Sequence, residues 1–283
     1  MKFGFVLFLF SFLLACTPQD LELDDPIIIV VAGQSNAVGA GNAAESATGL
    51  KNCFEYNSIL NAITPLQDPV GQVDLGFEQA VTGSLSPSLA LNLSKITNQE
   101  ILIVQCAKGG SALHPLAEQN NWGVWGKTGG LLSNSYRKID RALSKIAESS
   151  NSQPKLNAII WSQGENDGEA IGKGKLTRLQ YKSSLQKLIN NYRNKYGAAL
   201  PFIIVETGRN VSCRICDSGF EIVRQVQREV ADEDNYTFIG YSETEYFEQR
   251  NWLQDPVHYN QTALNHIGET LANFLVASQI DIY

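Results

Sequence analysis

The chain of 283 residues carries 22 basic and 29 acidic side chains, a net charge of −7. That acidic balance argues against nucleic acid or an anionic membrane surface as the partner. A chain of this length buries most of its unfolded surface, so one large core can form without a metal or a dense set of crosslinks.

The opening "MKFGFVLFLFSFLLACT" has one lysine, an apolar run and then "LLAC". The run is short for a membrane span and reads as a signal peptide over residues 1–16. Leucine, a small residue and then cysteine resemble the lipobox of bacterial lipoproteins. That resemblance implies that Cys16 becomes the first mature residue, carries a lipid and anchors an extracytoplasmic protein to a bacterial membrane. Residues 17–25, "TPQDLELDD", are polar and acidic and predict a short tether, which leaves 26–283 for one domain.

Apolar runs of strand length then alternate with segments of helical period. The runs Ile27–Ala32, Ile101–Cys106, Leu156–Trp161 and Phe202–Val205 are uninterrupted, which suits strands buried on both faces. Weaker strand candidates are Cys53–Tyr56 and Tyr236–Gly240. Between them, Ser86 and Pro87 read as an N-cap and first-turn proline ahead of Leu89, Leu93 and Ile96 on one helical face. Leu132, Tyr136, Ile139, Leu143 and Ile146 predict a second helix, and Leu185, Leu188, Ile189, Tyr192 and Tyr196 a third. Phe220, Val223, Val226 and Val230 predict a fourth, and Leu264, Ile267, Leu271, Phe274 and Leu275 a fifth. Alternating strands and helices imply an α/β fold, a parallel sheet covered by helices on both faces.

Of the five cysteines, Cys16 is assigned to lipid, leaving Cys53, Cys106, Cys213 and Cys216. In an oxidising export compartment a Cys213–Cys216 disulfide ranks first for "CRIC", a redox motif second and a metal site last. The pairing of Cys53 and Cys106 stays open.

Ligands of such sheets sit beyond the carboxyl ends of the strands. There the sequence places "GQSN" after Ala32, "AKGGSAL" after Cys106 and "SQGENDG" after Trp161, while "DPVHYN" precedes the final helix. Together these supply what nucleophilic acyl transfer needs: a serine, a histidine to take its proton, a carboxylate to orient the imidazole, and oxyanion donors. Ser35 is the candidate nucleophile, His258 the base and then acid, and Asp255 its partner on the same loop, where Pro256 restricts the backbone. The α/β-hydrolase elbow G-x-S-x-G does not fit, because Ala37 stands where the last glycine would be. "GAGNAA" at 39–44 matches a dinucleotide fingerprint but begins too far beyond the strand.

The blocks "GQSN", "KGGS", "QGEND" and "DPVH" resemble, in that order, those of the SGNH hydrolase superfamily, most closely its sialate O-acetylesterase-like and carbohydrate esterase family 6 branch. The resemblance implies a three-layer α/β/α sandwich of flavodoxin type, no cofactor and no metal, and removal of acetyl groups from a carbohydrate. It also implies an oxyanion hole of the Ser35 backbone, Gly109 and Gln163. Gly110 is the alternative to Gly109, and Asn166 the alternative to Gln163, since "GEND" also fits the G-x-N-D pattern of other branches. Glu165 is expected to support His258 or a sugar hydroxyl, or else to cap a helix. The family often places methionine where this chain has Ala37, a departure expected to alter the pocket floor.

Other residues carry weaker expectations. Trp122 and Trp125 can stack on a sugar or pack over the sheet edge. His114 reads as a loop residue, with lining the cleft as the alternative, and His266 as a solvated helix residue. Two rival functions are a non-catalytic carbohydrate-binding lipoprotein and a lipase or thioesterase of the same superfamily. Retention of all of Ser35, Asp255 and His258 speaks against the first, and loops rich in Gly, Asn and Gln against the second.

Overall fold

The computed structural model describes residues 20–126, 129–149 and 153–278; Cys16 and the expected signal peptide lie outside them. Seven strands form one sheet in the order β3-β2-β4-β1-β5-β6-β7. They are β1 (Ile27–Gly33), β2 (Cys53–Asn57), β3 (Ala62–Pro65), β4 (Ile101–Ala107), β5 (Ala158–Ser162), β6 (Phe202–Val205) and β7 (Thr237–Tyr241). All neighbours pair in parallel except β2 and β3, which form an antiparallel hairpin. The expected parallel sheet therefore carries one antiparallel edge strand, whose four residues are too short to stand out as an apolar run. An edge position also accommodates Pro65, which has no N–H to give to a ladder.

The helices are α1 (Ser35–Val38), α2 (Ser86–Thr97), α3 (Leu131–Ser149), α4 (Glu165–Gly172), α5 (Arg178–Tyr196), α6 (Arg214–Asp232) and α7 (Gln261–Ala277). Side chains alternate across each strand, so β1 feeds two cores. Ile28, Val30 and Ala32 pack with residues of α3, α5 and α6, while Ile27, Ile29 and Val31 pack with α2 and α7. This is the three-layer α/β/α sandwich. Ser86 does not cap α2 but lies in its first turn, with its Oγ 3.2 Å from Gln105 Oε1.

Residues 20–25 are not a free tether. Asp20 pairs with Lys145 at 2.5 Å and accepts from the Ile63 N–H at 3.1 Å, and Leu23 is buried in the α3 face of the core. The alternation of leucine with acidic residues in "DLELDD" is what a chain hugging a surface requires: the leucines turn in and the carboxylates out. Cys213 and Cys216 form a disulfide at the start of α6, and Cys53 and Cys106 are buried thiols.

Register places the site. Gly33 pairs level with Ala107 on one side and with Ser162 on the other. Three central strands thus end at one height, and "GQSN", "KGGS" and "QGEND" leave them side by side. Here connections from β1 and its neighbours depart to opposite sides of the sheet, the crevice where such folds bind ligands.

Candidate active site

Gly33 makes the turn that exposes Ser35. Its φ is +139°, and a Cβ there would lie 2.0 Å from the Ser162 carbonyl oxygen, so β1 and β5 could not approach with any other residue. The Gln34 N–H then donates to that same carbonyl at 3.0 Å, and Ser35 opens the single turn of α1.

Ser35 Oγ lies 3.0 Å from His258 Nε2, and His258 Nδ1 lies 2.6 Å from Asp255 Oδ2. Asp255 Oδ1 also accepts from the backbone N–H groups of Val257 and His258, at 2.9 and 2.8 Å. Burial acts to raise the Asp255 pKa, but the Val257 amide, the His258 side chain and the His258 amide outweigh it and hold the carboxyl below its ordinary value. An ionised Asp255 facing Nδ1 fixes the tautomer in which Nδ1 carries a proton and Nε2 is free to accept one from Ser35.

Asn36 ties three segments together. Its Nδ2 donates to Glu165 Oε1 at 2.8 Å and to the Val257 carbonyl at 3.2 Å, while its Oδ1 accepts from the Tyr259 N–H at 3.1 Å. The serine turn, the first residue of α4 and the histidine loop are thereby held by one side chain. Glu165 is buried, which raises its pKa against the opposing hydrogen bond from Asn36. It reaches His258 through Asn36 and the loop, not by a direct hydrogen bond.

The structure does not bring Gln163 to the cavity. Its Nε2 donates to Asp167 Oδ2 at 2.6 Å beneath the site, and its carbonyl accepts from Thr207 Oγ1 and Gln227 Nε2. Gly164 follows with φ +148°, where a Cβ would strike Thr207 Oγ1 at 2.2 Å, and this turn redirects the chain so that Asn166 faces the cavity instead. Asn166 Nδ2 donates to the Gly110 carbonyl at 2.5 Å and so bridges α4 to the "KGGS" loop. Asp167 is fully buried; burial pushes its carboxyl up to about 6, against hydrogen bonds from the Leu113 amide, Gln163 and the His114 amide.

Gly109 and Gly110 both line the cavity beside Ser35. The Gly109 N–H is taken, donating to Glu78 Oε2 at 2.7 Å, while Glu78 Oε1 pairs with Lys108. Glu78 and the structural role of Asn36 were missed in the sequence. Asn36 is part of a quoted block, but Glu78 sits in an irregular stretch with no periodicity or motif to mark it.

The cavity holds about 420 Å³ and is lined by Ser35, His258, Asn166, Lys108, Glu78 and Trp122 among others. Trp122 is 41% exposed at its mouth, whereas Trp125 is fully buried between Phe77 and Trp161. Ala37 faces the core beneath the sheet edge, so the residue that replaces methionine does not form the pocket floor. His114 caps a short turn by accepting from the Leu116 N–H, away from this cavity. His266 is only partly exposed: its Nδ1 lies 2.9 Å from the Tyr241 hydroxyl and its ring packs on Trp252. Among the described residues no His, Cys, Asp and Glu cluster could hold a metal ion.

The profile of a family described as "Carbohydrate esterase, sialic acid-specific acetylesterase" matches residues 26–277. No curated protein matches the chain in sequence. Among solved structures, a protein from Arabidopsis thaliana is similar with a TM-score of 0.65 at 18% identity, over 90% of this chain and 99% of that one. NanS is similar with a TM-score of 0.61 at 17% identity, over 91% and 98%. A variant of an acetyl xylan esterase from Geobacillus stearothermophilus gives 0.51 at 13% identity, over 93% and 98%. At these identities the structural likenesses speak to the fold.

Proposed function

Because the chain belongs to the carbohydrate esterase family of sialic acid-specific acetylesterases, we propose that it removes O-acetyl groups from a glycan through an acetyl-serine intermediate. One observation carries this reading: the unbroken relay from Ser35 Oγ through His258 to Asp255, at 3.0 and 2.6 Å, on the turn that leaves the central strand.

In the proposed reaction Ser35 Oγ attacks the acetyl carbonyl carbon as His258 Nε2 takes the hydroxyl proton. The carbonyl oxygen becomes an oxyanion, received by the Ser35 and Gly109 N–H groups and by Asn166 in place of Gln163. Collapse of the tetrahedral intermediate breaks the ester C–O bond, and the imidazolium returns its proton to the departing sugar oxygen. Water then attacks the acetyl-serine with His258 again as base, releasing acetate and regenerating Ser35. Asp255 stabilises the imidazolium throughout without itself taking the proton.

A glycan suits the cavity better than a long acyl chain. Most of the residues that line it carry polar side chains, and Trp122 offers a flat apolar face of the kind on which a sugar ring stacks. We also propose that the mature protein is held at a bacterial membrane through lipid on Cys16; a Cys16→Ser variant should then be unprocessed or released from the membrane fraction, and normal processing with retention would contradict it.

The test of the activity is acetate release from acetylated xylan, pectin and sialosides, with p-nitrophenyl acetate as a small reference ester. Ser35→Ala should abolish hydrolysis of all of them while the circular dichroism spectrum stays unchanged. Hydrolysis near the wild-type rate in that variant would remove Ser35 from the reaction.

A further inference from the structure

We propose that Glu78 occupies the second oxyanion donor in the resting enzyme, latched there by Lys108, and that the ester displaces it at each turnover. The proposal rests on the esterase reading above, with Gly109 as that donor.

The Gly109 N–H donates to Glu78 Oε2 at 2.7 Å, and the other carboxylate oxygen pairs with Lys108, the residue just before Gly109. Both side chains line the cavity that holds Ser35 and His258, and they are 36% and 24% exposed, so the pair can be reached from the cavity. The Glu78 N–H donates to the carbonyl of Ala107, the last residue of β4, at 3.0 Å. The carboxylate is thus tied to the same strand end that carries the donor.

An oxyanion donor works with its N–H roughly 2.7–3.1 Å from the developing O⁻. Glu78 Oε2 already holds that distance from Gly109. Two oxygens cannot share the direction of one N–H, and two negative oxygens there would repel. Either Glu78 leaves when the carbonyl arrives, or Gly109 takes no part. When it leaves, Lys108 loses its partner and becomes a free cation beside Gly109 while negative charge develops on the carbonyl oxygen. The resting pair is neutral and shields the donor; the separated pair favours the transition state. Glu78 is a positioning residue in this scheme: it touches neither the nucleophile nor the base, and it sets how readily the donor becomes available.

Displacing one charge-assisted hydrogen bond should depress kcat/KM by about tenfold. Glu78→Gln keeps the size of the side chain and removes the charge, so its kcat/KM for p-nitrophenyl acetate should rise by about that factor, and Glu78→Ala should rise similarly. Phenylboronic acid, which forms a tetrahedral anion on a catalytic serine, should bind both variants more tightly than it binds the wild type. Lys108→Met leaves the carboxylate on Gly109 without its counter-ion and should lower kcat/KM. A purely structural brace predicts the opposite for the Glu78 variants. Hydrolysis that depends on Ser35, with both Glu78 variants at or below the wild-type rate and boronate affinity unchanged, overturns the proposal alone. Absence of Ser35-dependent hydrolysis in the wild type overturns the esterase reading and this inference with it.

Discussion

Two side chains of the "QGEND" block are candidates for one role, and the turn between them sends them to different places. Gln163 continues the line of β5 and points into a buried network with Asp167, Thr207 and Gln227. Asn166, beyond the positive φ of Gly164, faces the cavity. Asn166→Ala should therefore lower kcat by roughly 10²- to 10³-fold with little change in KM, the signature of a donor that acts on the transition state. Gln163→Ala should act on stability instead, because it strips a hydrogen bond from the buried Asp167 carboxylate, and its kcat should fall much less. Kinetics and thermal unfolding on both variants check this; a large kcat loss confined to Gln163→Ala would reverse the assignment. The family resemblance favours Gln163 over Asn166, but residue spacing is silent about which way a chain leaves a glycine turn. Ser35, His258 and Asp255 were legible for a different reason: their residue types, their order and the strand ends before "GQSN" narrow the chemistry before any distance is known.

At the level of elements, long buried strands announce themselves and short packed pieces do not. Five predicted helices and the central strands were readable because apolar period and run length mirror burial on one face or two. α1 spans four residues, and α4 reads "ENDGEAIG", with no apolar stripe; both form because their neighbours hold them. What the elements do jointly is visible in the loop that carries His258. It is fastened from outside, by the Val211 N–H donating to the Pro256 carbonyl at 3.1 Å, and from inside by Asn36, which holds Val257 and Tyr259. Val211 lies just before Cys213, whose bridge to Cys216 closes the first turn of α6. Asn36→Ala removes the inner one and leaves the buried Glu165 without its amide partner. Since misplacement by about 1 Å can cost roughly 10²-fold in rate, this variant should lose activity of that order although Asn36 performs no proton transfer. Hydrolysis of p-nitrophenyl acetate, with circular dichroism to confirm the fold, checks this, and a near-normal rate in Asn36→Ala would show that the outer fastening suffices.

For the whole molecule, the polar and acidic look of residues 17–25 concealed that Leu23 belongs to the core, because composition averages over the alternation that buries it. A second whole-molecule consequence comes from acids placed inside. Burial pushes Asp167 up to about 6 and Glu55 up to about 7, the first opposed by its amide and Gln163 hydrogen bonds and the second by the Gly71 amide and Lys138. A carboxyl whose pKa is higher folded than unfolded binds more protons in the native state. Its contribution is therefore most favourable below the unfolded value near 4 and is lost as pH rises through the folded value. For Asp167 the span from 3.8 to about 6 corresponds to about 3 kcal/mol. The salt-bridged and hydrogen-bonded surface acids, Asp255 among them, have the opposite sign, so the total stability profile mixes the two. A difference measurement separates them. Asp167→Asn cannot ionise, and the unfolding free energy of the wild type minus that of the variant should fall by about 3 kcal/mol between roughly pH 4 and pH 7. Urea unfolding at steps across that interval reads the difference directly. A gap that stays constant with pH would mean that the amides of Leu113 and His114 hold the Asp167 carboxylate ionised as well inside the fold as water does outside it.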